Sequence, residues 1–334
     1  MKLRLGCTSA ALTGVACWAS LFGSLSYATL KGAVLALPDN LEGKVRREAL
    51  LAHEAKESGA WMTASPWTPG TQMSDWVFGA AARAWLCIRV DEVLERTKCQ
   101  VKGCGRTMDT LGQHAFTCPG LREFRSMQAA QHQRQLRATT RGARDGIITL
   151  PGEPVVQTWM QPKAGREVTV EKRADVGIIP KNGQNAGTIV LIDLTLVATS
   201  TAAKESGNTG AAAQRGESKK DRLYELDYER KPAPAPLAYV KGFGQETGGP
   251  LGDFAQKFLR SCAEQTPPQG LPGHDPVGRR YGRILEHFSV FLQKHCALVQ
   301  RQYIHQCCLP APPEAAPDDA AAAPEEGEVE AQEE

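Results

Sequence analysis

Two groups of residues in this sequence have types and spacings that could do chemistry. The first is Cys99-Gln-Val-Lys-Gly-Cys104 followed by His114-Ala-Phe-Thr-Cys118, a Cys-x4-Cys-x9-His-x3-Cys arrangement. Three thiolates and an imidazole suit tetrahedral Zn2+, and Gly103 eases a tight turn between the first two ligands. The spacing of His114 and Cys118 predicts that both share one face of a helix. Unligated thiols beside a packed histidine are the competing reading.

The second group is carboxylate. Gly187 to Val197 is a run of aliphatic and threonine residues broken by one acid, Asp193, which predicts a buried or half-buried strand carrying that acid inward. Upstream, Val168 to Ile179 predicts a strand that ends or bends near Asp175, and Pro180 to Gly187 the turn that sends the chain back. Such a hairpin places Asp175 beside Asp193, while Glu153, just before Pro154, could supply a third oxygen. Converging carboxylates repel one another unless a hard divalent cation such as Mg2+ neutralises them, and a centre of that kind suits phosphodiester hydrolysis. Lys219 or Lys220, from the charged helix expected over 218–230, could reach the centre and offset negative charge. Solvent exposure is the ordinary state of such lysines.

The rest of the chain must position these groups. Its 334 residues are long enough for a substantial core and two or three modules, and a hydrophobic content of 42% is that of a globular protein. The net charge of +2 hides an asymmetry: Leu309 to Glu334 holds nine acidic residues and no Lys or Arg, so the body stands at +11. A body that basic favours a polyanionic partner. The ten cysteines do not form an evenly spaced framework; one cluster and scattered single thiols indicate metal ligation in a reducing compartment.

Met1 to Ala28 imitates a secretory signal, but its apolar runs are short and broken by Gly, Ser and Thr, so an ordinary packed helix is the better expectation. No stretch is apolar enough to span a bilayer. Helices are expected over 41–58, 79–88, from near Leu121, over 251–264 and over 277–304, with Thr199 to Gly216 starting as a loop. Trp61, Trp67, Trp76 and Trp85 read as core or loop anchors. Arg122, Arg125, His132, Arg134, Arg137, Arg141 and Arg144 decorate the helix after the cysteine cluster, either against phosphates or as a solvated face. The expected organisation is a helical region over 1–95, a zinc knuckle over 96–120, a sheet-bearing domain over 121–260, a helical extension over 261–308 and a disordered acidic tail over 309–334.

The ordered set of these elements resembles the C-terminal region of reverse transcriptases from non-LTR retrotransposons that carry a restriction-enzyme-like endonuclease. The matching residues are Ser58-Gly-Ala-Trp61 with Pro66, Ser74-Asp75 and Phe78, then Cys99, Cys104, His114 and Cys118, then Arg125 and His132. They continue through Glu153-Pro154, Ala174-Asp175-Val176, Ile192-Asp193-Leu-Thr195, and Lys220 with Tyr224. The resemblance spans roughly 55 to 260. It implies an α/β fold with a mixed β-sheet flanked by helices, restriction-endonuclease-like, preceded by a helical and small zinc-knuckle segment. It further implies that Asp175 and Asp193 hold Mg2+, that Glu153 assists, that Lys220 fills the basic role, and that Cys99, Cys104, His114 and Cys118 hold Zn2+. Two departures stand out: Ala174 where many such nucleases have Pro, and Thr195 where the common pattern has Lys.

The resulting expectation is a Mg2+-dependent DNA endonuclease that nicks target DNA for retroelement integration. Its partners would be DNA and element RNA, its location the nucleus, and no membrane is involved. No Tyr-x-Asp-Asp-like motif occurs, so no polymerase activity is expected of this chain. The rival expectations are a non-catalytic zinc-dependent nucleic-acid-binding remnant and a structural protein without a specific ligand.

Overall fold

A computed structural model of the chain describes residues 32–40, positions 43, 46, 47, 49, 50 and 52, then 58–88 except 69 and 87, and 98–198 except 110, 164, 165 and 184. It continues through 210–230, 239–268 and 275–308. The signal-like N-terminus and the acidic tail lie outside the described residues, as does most of the helix expected over 41–58.

The described elements run α1 (Ala60–Thr63), α2 (Asp75–Trp85), two 3-10 turns (Gln113–Phe116 and Pro119–Leu121), α3 (Arg122–Gly142), β1 (Ile147–Thr149), β2 (Val155–Lys163), β3 (Arg166–Arg173) and β4 (Val176–Pro180). They continue with β5 (Val190–Val197), α4 (Ala211–Arg230), β6 (Tyr239–Glu246), α5 (Asp253–Gln265) and α6 (Val277–Cys308). The main sheet has the order β1-β4-β5-β6. Its first two pairings are antiparallel and β5–β6 is parallel, so the sheet is mixed and helices flank it. β2 and β3 form a separate antiparallel ribbon.

Strand β5 is organised by its period of two. Val190, Ile192 and Leu194 face a core shared with Leu136 of α3, Phe243 of β6, Leu259 of α5 and Phe288 of α6. Leu191 faces the opposite way, with Tyr224 of α4 and Val240 of β6. Asp193 therefore belongs to the α4 side of the sheet.

Helix α4 lies close on β6 because that strand presents glycine: a Cβ on Gly244 would stand 2.2 Å from the Ala213 carbonyl oxygen. Glu217 then ties three elements together, its carboxylate accepting from the backbone N–H groups of Gly244, Phe254 and Ala255. The helix begins earlier than the composition of 199–216 predicts. Its first turn is capped from afar, the Glu246 carboxylate accepting from the N–H groups of Ala212 and Ala213. A cap supplied by a distant strand leaves no local signal.

Candidate metal centre and adjoining carboxylate pair

The four ligand atoms of Cys99, Cys104, His114 and Cys118 all lie within 4.8 Å of one another. The Cys99 and Cys118 sulfurs are 3.8 Å apart, and the Cys104 sulfur is 3.2 Å from His114 Nε2. A tetrahedral Zn2+ with Zn–S bonds of about 2.3 Å needs sulfurs about 3.8 Å apart. The residues present therefore fit that ion in number, type and spacing.

The local backbone differs from the expected helix. His114 sits in the Gln113–Phe116 3-10 turn, whereas Cys118 precedes Pro119 in extended conformation, so the two do not share an α-helical face. Asp109 shapes this loop, its buried carboxylate accepting from the N–H groups of Leu111, Gln113 and His114. Burial lowers the His114 pKa, which keeps the imidazole in the neutral form a metal needs. Burial also pushes the Cys99 thiol up to about 12 in the metal-free chain, against the opposing effects of the Val101 backbone and the Tyr303 side chain.

This module is docked, not appended. Leu121, Val299 and Tyr303 fill its core, and the Tyr303 ring meets His114 edge-on at 5.7 Å. Arg125 of α3 donates to the carbonyl oxygens of Ala115 and Cys118. Asp109 and Tyr303 were absent from the sequence-based set. Asp109 carried a faint signal, an acid five residues before a proposed ligand; Tyr303 carried none.

The second centre is built by register. Val176 pairs with Ile192 across the antiparallel β4–β5 ladder, so Asp175, one residue back at the break after β3, falls opposite Asp193. Asp175 Oδ2 accepts from the Leu194 N–H at 2.6 Å, and Asp175 Oδ1 accepts from the Gln133 side chain. Arg137, one turn further along α3, donates to the Asp175 carbonyl oxygen at 2.7 and 2.9 Å. On Asp193, one oxygen accepts from both Lys220 Nζ at 2.7 Å and the Tyr224 hydroxyl at 2.5 Å. Lys220 and Tyr224 are four apart and share one face of α4.

The closing of the β2–β3 ribbon brings Glu153 near Asp175, where the Ala174 N–H donates to the Pro154 carbonyl oxygen, but its carboxylate does not join the pair. Its exposed carboxylate faces Arg137 at 3.6 Å, and among the described residues no third acid gathers with Asp175 and Asp193; the Cys/His set is the one cluster of three or more such ligands found there. The lysine of the centre is Lys220; Lys219 is exposed.

Asp175 is pushed up to about 7, by burial first and then by the Asp193 charge beside it, while the Leu194 N–H and Lys220 pull it down. An unfolded aspartate titrates near 3.9. Between about pH 4 and pH 7 the folded chain thus holds a proton that the unfolded chain has lost, so this group's contribution to stability falls as pH rises through that window.

The fold and the cysteine cluster together define a mixed α/β protein with a Cys3His metal-binding cluster. Compared with known proteins, the chain matches no family and no curated relative. No described helix is long and apolar enough to cross a membrane.

Proposed function

We propose that this chain binds nucleic acid through a zinc-ordered module and the arginine face of α3, as the C-terminal part of a retroelement-type protein acting in the nucleus on DNA, with element RNA as a further partner. One observation carries the reading. Arg134 and Arg141, both exposed, lie three residues before and four after Arg137, which is itself anchored to Asp175. The three guanidiniums form one stripe beside the carboxylate pair, on a chain whose body carries +11. The zinc module holds the start of α3 through Arg125, so metal binding orients the stripe.

The test is fluorescence anisotropy on a labelled DNA duplex over a range of salt. Arg134→Ala with Arg141→Ala is expected to weaken binding about ten-fold and to reduce the slope of log K against log salt by about two. Unchanged affinity and slope would remove the stripe from the interface.

A second, catalytic reading is favoured by the meeting of Asp175, Asp193 and Lys220 at the point where the main sheet faces α4. In it the domain is a restriction-endonuclease-like Mg2+-dependent endonuclease. Asp175 and Asp193 would hold Mg2+, which would supply a more acidic water and a counter-charge for the phosphoryl oxygens. Lys220 Nζ, held on Asp193, presents a positive charge at the pair's edge, and Tyr224 fixes the Asp193 rotamer. Gln133 and Arg137 hold Asp175 from the opposite side. Glu153, assisting in the sequence-based expectation, has its carboxylate on Arg137 at 3.6 Å.

Cation binding has a readout separate from cleavage. Because two adjacent carboxylates destabilise the metal-free chain above about pH 7, millimolar Mg2+ is expected to raise the thermal midpoint at pH 8 and much less at pH 5. Asp175→Asn should remove the increment, and an equal shift in that variant would contradict cation binding by the pair.

A further inference from the structure

The tryptophans do not all behave as core anchors. Trp61 is 3% exposed, whereas Trp76 is 36% exposed at the start of α2, where Ser74 caps the helix by accepting from the Val77 N–H. The Trp76 indole forms one wall of a cleft of about 100 Å3 between α2 and α6, lined also by Arg83, Ile88, Leu111, Arg301 and Ile304. The Arg301 guanidinium lies over the Trp76 ring, 5.2 Å from its centroid, in a cation–π contact.

The chemistry of this cleft is specific. It offers a partly exposed indole with the Arg301 guanidinium over its ring, apolar walls and a second arginine, Arg83, and among the described residues no carboxylate lines it. Its volume is well below the roughly 300 Å3 of an ordinary ligand pocket, so it admits one flat ring at most. Its far wall is fixed: buried Gln300 donates to the Leu111 carbonyl oxygen, and the Leu111 N–H is held by Asp109, the residue that shapes the metal loop. Ile304 packs on the core of the zinc module.

We infer that this cleft binds one unstacked base of a single-stranded nucleic acid, the base replacing the Arg301 guanidinium over the Trp76 ring and its flanking phosphate being taken by the displaced Arg301 together with Arg83. The inference rests on the nucleic-acid reading above and names the form of the polymer recognised at this second place. A base within a duplex has both faces covered by its neighbours and cannot offer one to the indole. A single strand can, and the phosphate that accompanies each base is complementary in charge to the two arginines that line the cleft.

The test uses the full zinc-loaded chain and two probes, a labelled oligothymidylate and a labelled duplex, read by anisotropy. Trp76→Ala is expected to weaken oligothymidylate binding about ten-fold or more while duplex affinity stays within about two-fold. Trp76→Phe should keep most of the affinity, and Arg301→Ala should weaken it and flatten its salt dependence. Both positions are exposed, so the variants fold, and circular dichroism checks this. Oligothymidylate binding that survives Trp76→Ala, or an equal loss on both probes, would overturn the cleft and leave the arginine stripe of α3 standing. Loss of duplex binding in the Arg134/Arg141 variant with oligothymidylate binding intact would support the cleft while locating the duplex elsewhere.

Discussion

Removing the metal from the Cys99, Cys104, His114 and Cys118 cluster, by chelation or by Cys118→Ala, is expected to unfold the surrounding module and lower the thermal midpoint of the chain. The packed apolar residues around the cluster are few, chiefly Val101, Met108, Ala115, Leu121, Val299 and Tyr303. A core of that size needs a staple. Structural Zn2+ contributes about 10–16 kcal/mol of apparent binding free energy in small zinc-finger peptides at neutral pH, comparable with the roughly 5–15 kcal/mol stability of a whole domain. Metal-free, the buried thiols of Cys99 and Cys118 are held protonated, and the loop keeps only the Asp109 and Arg125 hydrogen bonds and a small apolar core. Each cysteine releases its proton on ligation, so zinc affinity falls steeply as pH drops below neutrality. Metal analysis should find one Zn2+ per chain in the wild type and less in the variant. A metal-stripped protein with an unchanged unfolding curve would reject the cluster as a structural centre.

The second large effect is expected at Asp193. In Asp193→Asn the side chain keeps its shape but loses the charge that holds Lys220 and half of any cation site with Asp175. If the pair is catalytic, Mg2+-dependent nicking of supercoiled DNA should fall about 10^3-fold, equivalent to several kcal/mol of barrier. Duplex binding should survive, since the arginine stripe is untouched. Asp175 should meanwhile titrate lower, because the neighbouring charge that raises it is gone. Nicking at the wild-type rate in the variant would sink the catalytic reading and leave the binding reading in place.

What the sequence disclosed follows from the range of the forces involved. The Asp175–Asp193 juxtaposition was legible because it depends on a local hairpin, with alternation and turn residues written within about 25 positions. The Cys/His set was legible because ligand type and spacing are local, although Pro119 turned the expected helix into two 3-10 turns. Partners brought in from afar were not legible as such. Gln133 and Arg137 reach Asp175 from α3, and Tyr303 reaches the metal cluster from α6; nothing in their neighbourhoods marks them out. Tyr224 belonged to the resemblance, but its bond to Asp193 needed the rotation of α4, which Glu217 sets through contacts with β6 and α5. Glu153 was assigned from its place before Pro154; the closing of the β2–β3 ribbon does bring its backbone back beside Ala174 and Asp175, but its carboxylate is exposed and faces Arg137. The exposure of Trp76 was hidden for a related reason: in the sequence it reads like the buried Trp61.

The most direct measurement is the affinity of the wild-type chain for a labelled DNA duplex, made zinc-loaded and zinc-stripped at the same pH and salt. Tight, salt-sensitive binding by the loaded protein is expected, with most of it lost on stripping and recovered when Zn2+ is returned. Equal affinity in both states, or no salt-sensitive binding by the loaded protein, would contradict zinc-ordered nucleic-acid binding.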